Sequence, residues 1–199
     1  MRTLLKLLIF ISVPAIVGIV WANGGGPSDA LTAAPGETTC ADCHGNLDSG
    51  SGSITITGPA SYAPGDTLDL VVSVQQNGRR KWGFEMTALD DSNGPIGNLI
   101  IAEPVRTQLS IDGATGREYV KHTAAGTDPG VAHQSPGWTV RWASPATPHG
   151  PVTFYAVGCA SNNNNATNGD YIYTTAIQYN MIQVGTESES WGAIKKIFR

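Results

Sequence analysis

From Ser53 onward the sequence is a succession of short runs in which apolar and polar residues alternate, and each run stops at Gly, Pro, Asn or Asp. "SITITG" is followed by "PGDTLDLVVSVQQ", "KWGFEMTALDD", "IGNLIIAEP", "RTQLSID", "REYVKHTA", "GWTVRWASP", "GPVTFYAVGCA" and "DYIYTTAIQYNMIQVG". A period of two places successive side chains on opposite faces of a strand, and no stretch between these runs carries the 3.6-residue period of an amphipathic helix. Eight or nine strands at such regular spacing predict an all-β fold, an antiparallel sandwich of the immunoglobulin or fibronectin kind. "SNNNNATNGD" interrupts the series as a loop, because consecutive Asn disfavour a strand and Asn-Gly-Asp favours a turn. It holds an Asn-X-Thr sequon at Asn165, which matters only in a secretory system that glycosylates.

The chain has 199 residues, 41% of them hydrophobic, enough for one sizeable core. Its start, "MRTLLKLLIFISVPAIVGIVWANGG", places Arg2 and Lys6 before an apolar stretch from Leu7 to Trp21 and a small residue at Ala22. This is the pattern of an export signal cleaved after residue 22, with an uncleaved membrane anchor as the alternative. The expected organisation is a signal peptide at 1–22, an irregular segment at 23–52, a β-sandwich at 53–185 and a tail at 186–199. Loss of Arg2 and Lys6 leaves ten basic against sixteen acidic residues, a formal charge of −6 that argues against a nucleic-acid partner.

Residues 40–44 read Cys-Ala-Asp-Cys-His. C-x-x-C-H is the attachment signature of c-type haem: two thiols form thioethers with the haem vinyl groups, and the adjacent histidine reaches the iron. Cys40 and Cys43 are the expected anchors of one haem c per chain, and His44 its proximal ligand. Three other uses of the pattern remain open. A thioredoxin-like pair would sit at a helix N-terminus in a βαβ setting. A structural zinc would need Cys159 and the scattered histidines as further ligands. A plain disulfide between Cys40 and Cys43 would leave His44 without a role.

An electron carrier also needs a sixth iron ligand, for which His and Met are the usual donors. His122, at the end of the "REYVKHTA" strand, is the favoured distal ligand, because a side chain there can project from the sandwich toward a docked cofactor. Met86, His133 and His149 are the alternatives, with Met181 a further donor type. His133 and His149 fall in Pro/Gly-rich turns, and both methionines fall in apolar strands where core packing is the ordinary role. Trp82, Phe84, Trp138 and Trp142 are candidates to cover a haem edge as well as core residues. Lys121 and Glu118 are expected at solvated strand positions. Cys159, in "VTFYAVGCA", is expected to be a buried thiol.

"APGETTCADCHG" at 34–45, "YAPGDTLDL" at 62–70, "WGFEMTAL" at 82–89, "YVKHT" at 119–123, "GWTVRWASP" at 137–145 and "GPVTFYAVGCASNNNNATNGDYIY" at 150–173 occur in this order. In these segments the chain resembles a family of exported bacterial proteins with a reelin-like domain, often called choice-of-anchor proteins. The resemblance implies a β-sandwich with covalent haem on an N-terminal segment, and it favours the histidine of "YVKHT", His122, as distal ligand. Such proteins commonly end in a wall-sorting motif or hydrophobic anchor, whereas "ESESWGAIKKIFR" is far too short to span a bilayer and is expected to serve, if at all, in surface association or sorting.

These readings combine into an exported monohaem cytochrome, periplasmic or at the cell surface. It would act as an electron carrier rather than an enzyme, with a redox partner protein of basic surface and possible membrane-surface or cell-surface tethering. The rival expectation is a binding or adhesion module whose haem or zinc is structural or sensory, with the Asn-rich loop as its recognition element. A peroxidase-type enzyme would need an open sixth position and an acid–base pair, and no such cluster flanks His122 in the sequence.

Overall fold

The computed structural model describes residues 24–182. The expected signal segment at 1–22 and the tail at 186–199 lie outside the described residues. Ten strands form two sheets: β1 Ser53–Thr57, β2 Ser61–Tyr62, β3 Thr67–Gln75, β4 Lys81–Asp90, β5 Asn98–Ile101, β6 Thr107–Ile111, β7 Glu118–His122, β8 Trp138–Ala143, β9 Val152–Ser161 and β10 Tyr171–Met181. Each expected run forms a strand. Two features have no period-two signature in the sequence, the two-residue β2 and the single helical turn α1 at Ala41–His44.

The sheets run β1-β3-β8-β5 and β2-β10-β9-β4-β7-β6. Every ladder is antiparallel except β2 with β10, which is parallel. The fold is thus the expected all-β sandwich, with that one departure from purely antiparallel pairing. Alternation fills the space between the sheets: Leu68, Leu70, Val72 and Val74 of β3 face Trp82, Phe84 and Met86 of β4. Aromatic side chains interlock across this layer. Phe84 stacks on Trp138 with centroids 4.5 Å apart, and Trp142 meets Phe154 edge-on at 5.3 Å. Their indole N–H groups are satisfied, Trp138 donating to the Gly126 carbonyl and Trp142 to that of Ile96. Trp138, Trp142 and Met86 are therefore core residues.

β4 departs from half-burial. All eight residues from Trp82 to Leu89 are buried, on both faces of the strand. A strand buried on both sides needs a third layer, and the chain from Gly24 to Glu37 supplies it by crossing the outer face of the larger sheet. Leu31 N–H donates to the Glu85 carboxylate (2.9 Å), and the Lys121 ammonium donates to the Pro27 carbonyl and to Asp29. Glu37 accepts from Arg117 at 2.6 Å, from the Tyr119 hydroxyl at 2.7 Å and from Thr32.

Lys121 and Glu118 are thus not the solvated positions expected from sequence. Lys121 is buried by this arm, and Glu118 accepts the Leu99 N–H at 2.6 Å. Local alternation carries no information about a distant segment that returns to cover a face.

Glu85 lies at the bottom of this third layer, fully buried, with one carboxylate oxygen unpartnered. Burial pushes its pKa up from 4.5 to about 8, against the opposing pull of the Leu31 N–H and Lys121. Between these values the folded chain holds a proton that the unfolded chain has released, so stability falls as pH rises through that window. Urea denaturation of the full chain should show this fall between about pH 4.5 and 8, and Glu85→Gln should flatten it. An unchanged slope in the variant would place the effect elsewhere.

Candidate functional site

At the end of the arm the chain makes one helical turn. Cys40 caps it, His44 N–H donates to the Cys40 carbonyl at 3.0 Å, and Gly45 ends it at φ 63° with its N–H on the Ala41 carbonyl. A turn of helix puts residues i, i+3 and i+4 on one side. Cys40, Cys43 and His44 accordingly line one cleft of about 290 Å³ between the arm and the outer face of β4 and β9. All three cysteines are free thiols. Burial, with Glu85 adding to it, pushes the Cys40 thiol up to about 12. A thiol–disulfide pair of the thioredoxin kind needs its pKa lowered, so this environment does not suit redox exchange.

His44 Nδ1 lies 2.7 Å from Oδ2 of Asp170, a fully buried carboxylate. With Nδ1–H donated to the acid, Nε2 carries the lone pair a metal requires. The other Asp170 oxygen accepts the Asn162 N–H at 3.0 Å, and its carbonyl accepts from the Asn46 side chain at 2.9 Å. One residue therefore fastens the Asn-rich loop, the start of β10 and the histidine of the motif. Asp170 was missed in the sequence reading; the signal for it is its place as the acidic last residue of that loop.

His122 lines the same cleft. It stands where β7 leaves β4, and its Nδ1 occupies a place at the end of that ladder, 3.0 Å from the Phe84 N and 3.1 Å from the Phe84 carbonyl. Nδ1 accepts the Phe84 N–H in the tautomer that carries its proton on Nε2, and in the other tautomer it donates to the Phe84 carbonyl and leaves Nε2 free as a donor atom. Burial pushes the His122 pKa down to about 4, which leaves the ring neutral at pH 7. Gly83 makes the placement possible: a Cβ there would stand 2.7 Å from His122 Cε1 and 3.1 Å from Nδ1, inside contact distance.

The structure brings Cys40, Cys43, His44 and His122 together and leaves the alternative donors apart. His133 and His149 are exposed in loops, with His133 accepting the Gly78 N–H. Met86 faces the core, and Met181 is packed at its edge. Trp82 and Phe84 border the cleft along β4 while their side chains face the core, and Leu31 lines it from the arm. Two nitrogen donors, two thiols and apolar walls around one cleft fit the donor set of a c-type haem.

Cys159 is half-buried, more open than the buried thiol expected, and also lines the cleft. Ligand atoms of Cys159, His44 and Asp170 lie within 4.8 Å of one another, the only such metal-sized group among the described residues. For zinc this supplies three donors, but two of them already satisfy each other through the His44–Asp170 hydrogen bond.

No family model and no curated protein matches this sequence. Solved structures do. The chain is similar to the human F-spondin reeler domain, with 16% identity and a TM-score of 0.46 over 70% of this chain and 95% of that one. It is also similar to a cohesin module from the family 33 glycoside hydrolase of Clostridium perfringens, with 12% identity and a TM-score of 0.45 over 65% of this chain and 96% of that one. A non-cellulosomal cohesin from the archaeon Archaeoglobus fulgidus follows with 9% identity and a TM-score of 0.36 over 65% and 91%. These are likenesses of β-sandwich fold alone. Among the described residues no helix is long and apolar enough to cross a membrane.

The close approach at Gly83 gives a direct test. Gly83→Ala should displace the His122 ring from Phe84, seen as a change of His122 tautomer and environment in histidine-selective ¹⁵N NMR, while the core signals of Val72 and Val140 stay in place. An undisturbed His122 signal would contradict the packing described.

Proposed function

We propose that the cleft holds one haem c, joined to Cys40 and Cys43 as thioethers and ligated by His44 and His122, and that the domain carries single electrons outside the cytoplasm. The observation that supports this most is the meeting of C-x-x-C-H with a second imidazole in one cleft, His44 held at Nδ1 by Asp170 and His122 held at Nδ1 by the backbone of Phe84. Haem supplies a one-electron ferric/ferrous couple. The chain's own residues do the rest. Asp170 and the Phe84 backbone orient the two rings, Leu31 lines the cleft from the arm, and the Glu37 and Lys121 networks hold the arm on the sheet.

His44 and His122 would both be taken up as ligands, and a haem so held would offer no open coordination site to a substrate, which fits a carrier rather than an enzyme. The acidic surface, at formal charge −6 after removal of residues 1–22, favours a partner of basic surface and makes docking sensitive to salt. Export and surface tethering complete the proposal, resting on the apolar N-terminus and the basic, apolar tail.

A second reading is a surface binding module whose haem or zinc serves structure or sensing. It is favoured by the Asn-rich loop, which Asp170 and the ring of Asx contacts hold against the cleft mouth, with Asn163, Asn165 and Thr167 on its wall. Loops set on a rigid sandwich are common recognition elements.

Expression of the full chain with a cytochrome c maturation system, followed by oxidised and reduced absorption spectra, separates the two readings. The carrier reading predicts a low-spin six-coordinate spectrum with a sharp reduced α-band, turning high-spin in His122→Ala. A haem-free protein that still binds a surface ligand through the 162–168 loop would support the module and sink the carrier.

A further inference from the structure

Asp170 is 0% exposed, and among the described residues the one ion-pair contact of its carboxylate is with the His44 ring. Its second oxygen is spent on the Asn162 N–H, so the acid cannot rotate away without breaking the loop closure. Its own main chain is pinned as well. The Asp170 carbonyl accepts from Asn46, the Asn46 carbonyl accepts the Ile172 N–H, and the Ile172 carbonyl accepts the Asp48 N–H, which ties the residues after the C-x-x-C-H motif to the start of β10. The carboxylate facing His44 Nδ1 is therefore fixed in place.

From this we infer that Asp170 is a positioning residue that sets the redox poise of the centre. The inference rests on the haem reading above and deepens it. An imidazole whose Nδ1–H is shared with a buried carboxylate gains electron density at Nε2 and becomes a stronger donor. A stronger donor stabilises the ferric ion more than the ferrous, because the ferric ion carries the greater charge. The low dielectric around a fully buried acid strengthens this effect relative to a surface contact. By contrast, the Nδ1 partners of His122 are the neutral backbone N–H and carbonyl of Phe84. An iron held by both rings would thus meet unequal donors, His44 backed by the carboxylate of Asp170 and His122 backed by neutral backbone. The consequence is a centre poised to lower potential than two neutral hydrogen-bond acceptors would give, suited to a strongly reducing electron donor.

The test is Asp170→Asn in the haem-loaded full chain, with the midpoint potential followed by spectroscopic titration. The neutral amide can still accept the His44 proton through its oxygen, at the cost of the Asn162 contact, where its NH2 then faces the N–H. The ferrous form should therefore gain about tenfold or more over the ferric, a rise of about 59 mV for a one-electron couple, with the low-spin spectrum retained. A potential that moves by less than about twofold in that ratio overturns the inference and leaves the haem reading intact.

Should the variant fail to fold or to load haem, the tautomer of His44 in the haem-free wild type decides instead. ¹⁵N NMR should find Nδ1 protonated and its proton strongly hydrogen-bonded, and an Nε2–H tautomer overturns the inference. A wild-type chain that folds but never takes haem contradicts the haem reading, and the same NMR measurement then reports on the Asp170 contact alone.

Discussion

Glu37 lies between the arm and the outer face of the large sheet, its side chain all but buried, and answers Arg117, Tyr119 and Thr32 at once. With Lys121 bridging Asp29 and the Pro27 carbonyl, it fixes to the sheet a segment whose isolated bridge, Thr32 with Thr39, lies within the arm itself. Removing one partner of such a pair leaves a charge stranded in a dry layer, a cost of about 3–5 kcal/mol for fully buried pairs. The arm is therefore held at one register on the sheet. The position of the C-x-x-C-H turn follows from it, because only two residues separate Glu37 from Cys40.

That register matters because the second half of the site belongs to the sandwich. His122 ends β7, Gly83 clears its ring space in β4, and Asp170 opens β10, so three strands far apart in sequence surround a turn carried by the arm. Each histidine is fastened at Nδ1 by a group whose own position is set by strand pairing or loop closure. The rings are thereby oriented before any cofactor arrives, and the entropy of arranging them is met during folding rather than at binding.

Period-two alternation was enough to read nine of the ten strands and the sandwich, since side-chain alternation and core burial are the same fact seen from two sides. It could not reveal β2, whose two residues are too short to alternate, nor its parallel pairing. The three motif residues were legible because their spacing is itself chemistry, and His122 was singled out by its place at a strand end and by the reelin-like resemblance. Asp170 and Gly83 were not legible. Their roles come from contacts across 126 and 39 residues of sequence, and nothing local marks an acid or a glycine as the partner of a particular histidine. Lys121 misled for a related reason, since a lysine on an alternating strand reads as solvent-facing until the arm is known to cover it.

The claim on which the account turns is that Cys40 and Cys43 carry a covalent haem. Intact mass spectrometry under denaturing conditions, on the full chain produced with a cytochrome c maturation system, tests it without reference to activity. The account predicts one haem per chain that survives denaturation and is lost when both Cys40 and Cys43 are replaced by Ala. A folded wild-type chain with the mass of the polypeptide alone would contradict it.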